Sequence, residues 1–158
     1  METTVNKTTA TLLQLSAYTQ YFFPFGNFIF PVLIWSVKKN ESEFVDYNGK
    51  QVINFQLSLL VYTILLAIIA VPLLIYTFFN GLNLNFAYNR NWIIENDGDW
   101  VLENFDFQKI SGLLAIAILV VVLFVTMKVV EFFLILYAAV KNTNGENFNY
   151  PLTIKFIK

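Results

Sequence analysis

Lys128 and Glu131 are the only charged residues in an otherwise apolar stretch, residues 110–140. Three positions apart on a helix, they share a face and can form an ion pair. Charges inside a membrane helix usually face protein or a water-filled path, and they are functional candidates by default. A second set lies earlier in the chain. Tyr47, Gln51, Asn54, Ser58 and Tyr62 follow helical spacing and form one polar stripe. Such groups turn away from lipid, which cannot satisfy their hydrogen bonds. Counting inward from Lys109 and from Phe79 puts Lys128 and Glu131 level with Ser58, one turn from Asn54 and Tyr62. These five residues, Asn54, Ser58, Tyr62, Lys128 and Glu131, are the candidate polar cluster. Two readings of it stand: an ion or proton pathway, or structural pairing with the lysines snorkelling to the interfaces. The second follows because Lys109 to Lys128 spans about 28 Å of helix, close to one hydrocarbon thickness.

Other chemistry is excluded by composition. The 158 residues contain no histidine and no cysteine. The commonest catalytic base and metal ligand are therefore absent, and so are disulfides and thiolate sites. No phosphate-binding glycine loop, metalloprotease motif or nucleophile–base pair occurs. An Asp97-Gly98-Asp99 turn sits among carboxylates but lacks calcium-loop spacing. We expect no catalytic residues, no metal, no cofactor and no enzymatic activity. Net charge is -1, which offers no basic field for nucleic acid.

The elements that position the candidates are membrane helices. Hydrophobic residues make up 57% of the chain and charged residues 13%, about half the usual charged share. Residues 57–79 carry no charge and cover about 34 Å as a helix, enough to cross a bilayer. The predicted fold is all-α: a polytopic helical membrane protein of three to four membrane helices in a single domain, residues 1–158. Residues 8–37 form a broken or hairpin membrane segment, read as two short helices (8–22 and 28–37) joined around Pro24 and Gly26. Residues 44–79 form an amphipathic entry plus span after an inner loop. Residues 80–108 form an acidic outer loop, with Glu95, Asp97, Asp99, Glu103 and Asp106 against Arg90 and a WIIEN/WVLEN echo. Residues 109–141 form the return span, and residues 142–158 a short amphipathic tail. The polar, threonine-rich start is not expected to act as a cleaved signal. Lysines flank the first loop and the tail, which puts both on the cytoplasmic side. The expected location is the bacterial cytoplasmic (inner) membrane, multi-pass.

Three stretches carry a family resemblance together: Pro24-Phe25-Gly26-Asn27, residues 31–56 and residues 138–158. Within them Lys38-Lys39, Asp46, Asn48-Gly49-Lys50, Asn54-Phe55-Gln56, Gly145-Glu146 and Tyr150-Pro151 recur in order and spacing. The chain resembles domain-of-unknown-function family forty-eight-seventy, grouped with Tic-twenty-like proteins and the magnetosome proteins MamF and MmsF. The resemblance implies a helical membrane protein without known enzymatic activity, a scaffold or accessory subunit of a translocon or magnetosome membrane. The expected partners are the lipid bilayer and a membrane-protein partner or homo-oligomer. The alternative is a small oligomeric channel or transporter subunit. The motif-bearing stretches also suggest that the inner loop packs on the tail. Asp46 or Glu43 would pair with Lys155 or Lys158, and Asn54 and Gln56 would satisfy loop backbone.

Overall fold

The computed structural model describes residues 2–81 and 107–158. The acidic loop's charged residues and paired tryptophan motifs lie outside them. Helix α1 spans Thr4–Ser16 and continues as a 3-10 turn, Ala17–Tyr21. Helix α2 spans Gly26–Lys38, α3 spans Glu43–Gly81 and α4 spans Phe107–Thr143. No strand occurs among the described residues.

Among the described residues two helices, α3 and α4, are long and apolar enough to cross a membrane. This narrows the expected three to four. Helices α1 and α2 have 13 residues each, about 20 Å, against a hydrocarbon core of about 30 Å. Neither crosses alone.

Local chemistry sets the boundaries. The Thr3 hydroxyl caps α1 by accepting from the Asn6 backbone N–H. After the 3-10 turn, Phe25 adopts a left-handed conformation (φ 61°) and Gly26 starts α2. A side chain at position 26 would meet the Thr19 backbone and hydroxyl at 2.6–2.7 Å, so only glycine lets α2 fold back here. Pro31 sits inside α2 with its ring fully buried, and it leaves the helix unbroken. Helix α4 ends in a Schellman motif. The Gly145 N–H donates to Asn142 O and the Glu146 N–H to Lys141 O, with Gly145 at φ +81°.

The chain forms two compact units. One comprises residues Ile64–Val125. Its stretches 64–76 and 114–125 contain no charged residue and expose Ile68, Ile69, Ile118 and Leu119, a surface suited to lipid. The other comprises Met1–Thr63 and Thr126–Lys158. Its apolar core joins Ala17, Val52, Ile53, Phe55, Ile135, Ala138, Phe148 and Tyr150. The Phe55 and Tyr150 rings stack with centroids 4.2 Å apart. Polar groups are buried in the same unit, and they form the candidate site.

Candidate functional site

Four buried amide and phenol groups lock four segments together. Gln14 of α1 donates to the Asn142 side chain of α4 (2.9 Å). Asn142 donates to Asn48 Oδ1 of α3 (2.8 Å) and to the Glu146 carbonyl (3.0 Å). Asn48 in turn accepts from the Phe148 N–H and donates to the Asn147 side chain. The Tyr150 hydroxyl donates to Gln14 Oε1 at 2.6 Å. Burial pushes the Tyr150 phenol well above its ordinary pKa, helped by the negative charge of Glu131. It stays a neutral donor at physiological pH.

The helix faces explain this placement. Ala10, Leu13, Gln14 and Ala17 recur at positions i, i+3, i+4 and i+7 of one buried face. Ile135, Ala138, Ala139 and Asn142 repeat the pattern on α4. Each face is small and apolar except for one amide, and the two amides meet. A polar side chain in an apolar helical face was the signal that could have singled out Gln14 and Asn142 from sequence.

The tail lies along α3 as a strap. The Tyr62 hydroxyl donates to Leu152 O, Ser58 Oγ accepts from the Ile154 N–H, and Asn54 Oδ1 accepts from the Phe156 and Ile157 N–H groups. Asn54 Nδ2 donates to Ile157 O. Numbers rise along the tail as they fall along α3, so the two run antiparallel. Two residues of extended chain advance about 6.6 Å and four of helix about 6 Å, so each step of the stripe meets the next free pair of tail residues.

Lys128 and Glu131 do pair, at 2.8 Å, with Glu131 1% exposed and the Lys128 side chain 33% exposed. Their other partner is Gln20 of the 3-10 turn. Gln20 donates to Glu131 at 2.9 Å and accepts from Lys128 at 3.2 Å. Beside them the Tyr18 hydroxyl donates to Phe132 O. The expected five-residue cluster is thus divided by its hydrogen bonds: Asn54, Ser58 and Tyr62 hold the tail, and Lys128 and Glu131 hold the 3-10 turn. Both groups needed partners from segments whose approach spacing alone does not reveal.

The remaining motif residues fasten α2 to α3. Trp35 Nε1 donates to Asp46 at 2.8 Å, and Lys50 pairs with Asp46 at 2.7 Å. Lys39 sits over the Trp35 ring, and Gly49 lets that ring lie directly on the α3 backbone. Asp46 therefore serves Trp35 and Lys50, not the tail lysines as expected. Lys155 and Lys158 instead line an open cleft with Glu2, Glu43, Asp46 and Lys50. Gln56 also departs from expectation. It accepts from the Asn27 side chain (2.8 Å) instead of satisfying loop backbone, and its own Nε2 is buried without a partner. Lys38 pairs with Glu41 in the exposed loop, while Pro24 and Pro151 lie at exposed turns. No group of three or more potential metal-ligating side chains occurs among the described residues.

Two apolar spanning helices rooted in a hydrogen-bonded helical unit define a polytopic α-helical membrane protein. Residues 5–157 match the model of the magnetosome magnetite crystal formation protein family, MamF and MmsF. The chain belongs to that family, the magnetosome branch of the resemblance drawn from its motifs. No curated protein and no solved structure matches it.

Proposed function

We propose that this is a non-enzymatic scaffold or accessory subunit of a magnetosome membrane, acting in magnetite crystal formation. The observation that carries this is the use made of the buried polar groups. Gln14, Asn48, Asn142, Asn54 and Ser58 spend their hydrogen bonds on one another and on the tail. Groups committed in this way rigidify a unit and are not free for acid–base or nucleophilic work. The unit takes the bacterial cytoplasmic membrane as its origin, with its tail on the cytoplasmic side, in line with the lysines of the first loop and tail. A partner membrane protein or a second copy docks on the helical unit. The translocation role implied by the Tic-twenty-like resemblance is the same scaffold with a different partner.

The test is crosslinking and pull-down from native membranes, together with removal of the gene in a magnetite-forming cell. Reproducible capture of magnetosome membrane proteins and altered crystals support the reading; normal crystals overturn it. The channel or transporter reading draws on the buried Glu131 beside Lys128 and Gln20. Reconstitution separates the two, since ion flux abolished by Glu131→Gln favours transport.

A further inference from the structure

We infer that the α1–α2 hairpin is a wedge in one leaflet of a phospholipid bilayer, the leaflet on the side that carries both chain termini, and that it gives the protein a preference for strongly curved membranes. This goes beyond the scaffold role and stands or falls separately from any part in crystal formation.

The hydrogen-bond registers carry the topology. Between α1 with its 3-10 turn and α4, Thr11 meets Thr143, Gln14 meets Asn142, Tyr18 meets Phe132 and Gln20 meets Glu131. One set of numbers rises as the other falls, so the segments are antiparallel. Between α2 and α3, Asn27 meets Gln56 and Trp35 meets Asp46, again antiparallel. The N-terminus, the loop after α2 and the end of α4 therefore share one end of this unit. The turn at residues 21–25 lies at the other, level with Gln56 and Glu131. From Thr143 to Glu131, or from Glu43 to Gln56, is about 18–20 Å of helix. A crossing needs about 30 Å of hydrocarbon. The hairpin goes in and comes back without crossing, and its tip, beside Lys128 and the root of the uncharged run 57–79, reaches the boundary between headgroups and acyl chains.

The surface carries the lipid assignment. The turn presents Tyr21, Phe22, Phe23 and Phe25, with Phe22 91% and Phe25 67% exposed. Phe25 occupies the left-handed position of the turn, where a bulky residue costs energy and glycine would not. The exposed face of α2 adds Ile29, Phe30 and Leu33. In the same unit α4 exposes Phe132, Phe133 and Leu136, so the apolar surface continues onto a membrane-spanning helix. Gly26 packs the turn on Thr19, the Phe22, Phe23 and Gly26 N–H groups are paired within it, and at the headgroup boundary water reaches its remaining backbone groups. An apolar body in one leaflet only expands that leaflet relative to the other. Its insertion is easier where curvature has already spread the headgroups.

The chain has no cysteine, so single cysteines report cleanly. With protein inserted in one orientation, Thr4→Cys and Asn40→Cys should react with an impermeant maleimide from the same face. Labelling from opposite faces overturns the hairpin. A fluorophore on Phe22→Cys should be quenched by brominated phospholipids. Absence of quenching, or disulfide crosslinking of two Phe22→Cys copies, assigns the tip to protein and overturns the lipid assignment. Reconstituted into phosphatidylglycerol–phosphatidylethanolamine vesicles of mixed size, the wild-type protein should be severalfold denser per unit area on the smallest. Phe22→Ser with Phe23→Ser should move that ratio toward one. Equal density of the wild type on all sizes overturns the curvature preference whatever the variant does.

Discussion

Asn54 grips Ile157 by both atoms of its amide. Oδ1 accepts from the Ile157 N–H at 2.8 Å while Nδ2 donates to the Ile157 carbonyl at 2.9 Å. This is the pairing a strand neighbour would offer, supplied here by one side chain of a helix. Oδ1 also takes the Phe156 N–H at 3.1 Å. Replacing Asn54 with leucine leaves the Ile157 N–H and carbonyl without partners, while the Phe156 N–H keeps the Ile154 carbonyl. Each costs on the order of 1 kcal/mol once partial rehydration is allowed, for a total of about 2 kcal/mol. Asn54→Asp keeps the acceptor and loses only the donor, so it should lose less. Thermal unfolding in detergent gives the ranking. Limited proteolysis of the tail should speed up in the same order, and equal cleavage in all three proteins would refute the strap.

Removal of the strap as a whole has a larger reach. Residues 149–158 bring Tyr150 into the core, where its ring stacks on Phe55 and its hydroxyl reaches Gln14. Deleting them should lower the melting temperature and leave Gln14 and Ser58 short of partners. An unchanged melting temperature would mean that the tail only decorates the unit.

Tyr150 also predicts a pH dependence. Its folded pKa lies above the ordinary tyrosine value near 10 because the phenolate would be buried. The native state therefore holds the proton more tightly than the unfolded chain does. Stability from this group is complete below about pH 10 and is lost as pH rises above it. Tyr150→Phe removes the term, at a cost of about 1–3 kcal/mol for the buried Gln14 oxygen left unpaired. The wild type should be the more stable protein at neutral pH, and the gap should close as pH rises past 10. A gap that holds constant through pH 11 would contradict the assignment.

The Lys128–Glu131 pair predicts an asymmetry. Glu131 is buried, and removing Lys128 alone leaves its carboxylate held only by Gln20. Breaking a fully buried pair costs about 3–5 kcal/mol, but the partly exposed lysine reduces this to about 1–2 kcal/mol. Lys128→Met should therefore destabilise more than Lys128→Met combined with Glu131→Gln. If the double variant also keeps full function in membranes, the pair is structural and the pathway reading of it fails.

The long helices were legible in the sequence because uncharged length is a one-dimensional property. Residues 57–79 and 110–127 needed no partner to be recognised. The polar stripe on α3 was equally visible from its period, yet its occupant was not. Asn54 and Ser58 face the tail because two residues of extended chain match four of helix, and nothing in the spacing of the stripe says which segment will supply them. Gln14 and Gln20 went unnoticed for a related reason. Each is a lone amide among apolar or neutral neighbours in a segment that the prolines made look broken. Their partners, Asn142 and Glu131, are more than a hundred residues away. The hairpin itself was one of two readings of residues 8–37. The close approach of Gly26 to Thr19 accounts for the fold-back, and such contacts depend on distances that sequence does not carry.

Gly49 and Gly26 make the last prediction, since both are glycines for contact reasons and the contacts differ in kind. A Cβ at position 49 would fall 2.3 Å from Trp35 Cδ1, a side-chain atom. Gly49→Ala should push the indole off α3, stretch its bond to Asp46 and loosen the end of α2, at about 1–3 kcal/mol. Trp35 fluorescence should shift toward the red as the ring meets solvent, and the rest of the unit should hold. A Cβ at position 26 meets the Thr19 backbone carbonyl at 2.7 Å, and backbone cannot swing aside as a ring can. Gly26→Ala should thus cost more than Gly49→Ala and part the tip of the hairpin from the 3-10 turn. That opening would raise protease or hydrogen-exchange sensitivity at residues 17–25 without shifting Trp35. Two variants with the same melting temperature and the same fluorescence would show that these glycines are interchangeable with alanine and that the hairpin does not depend on its close contacts.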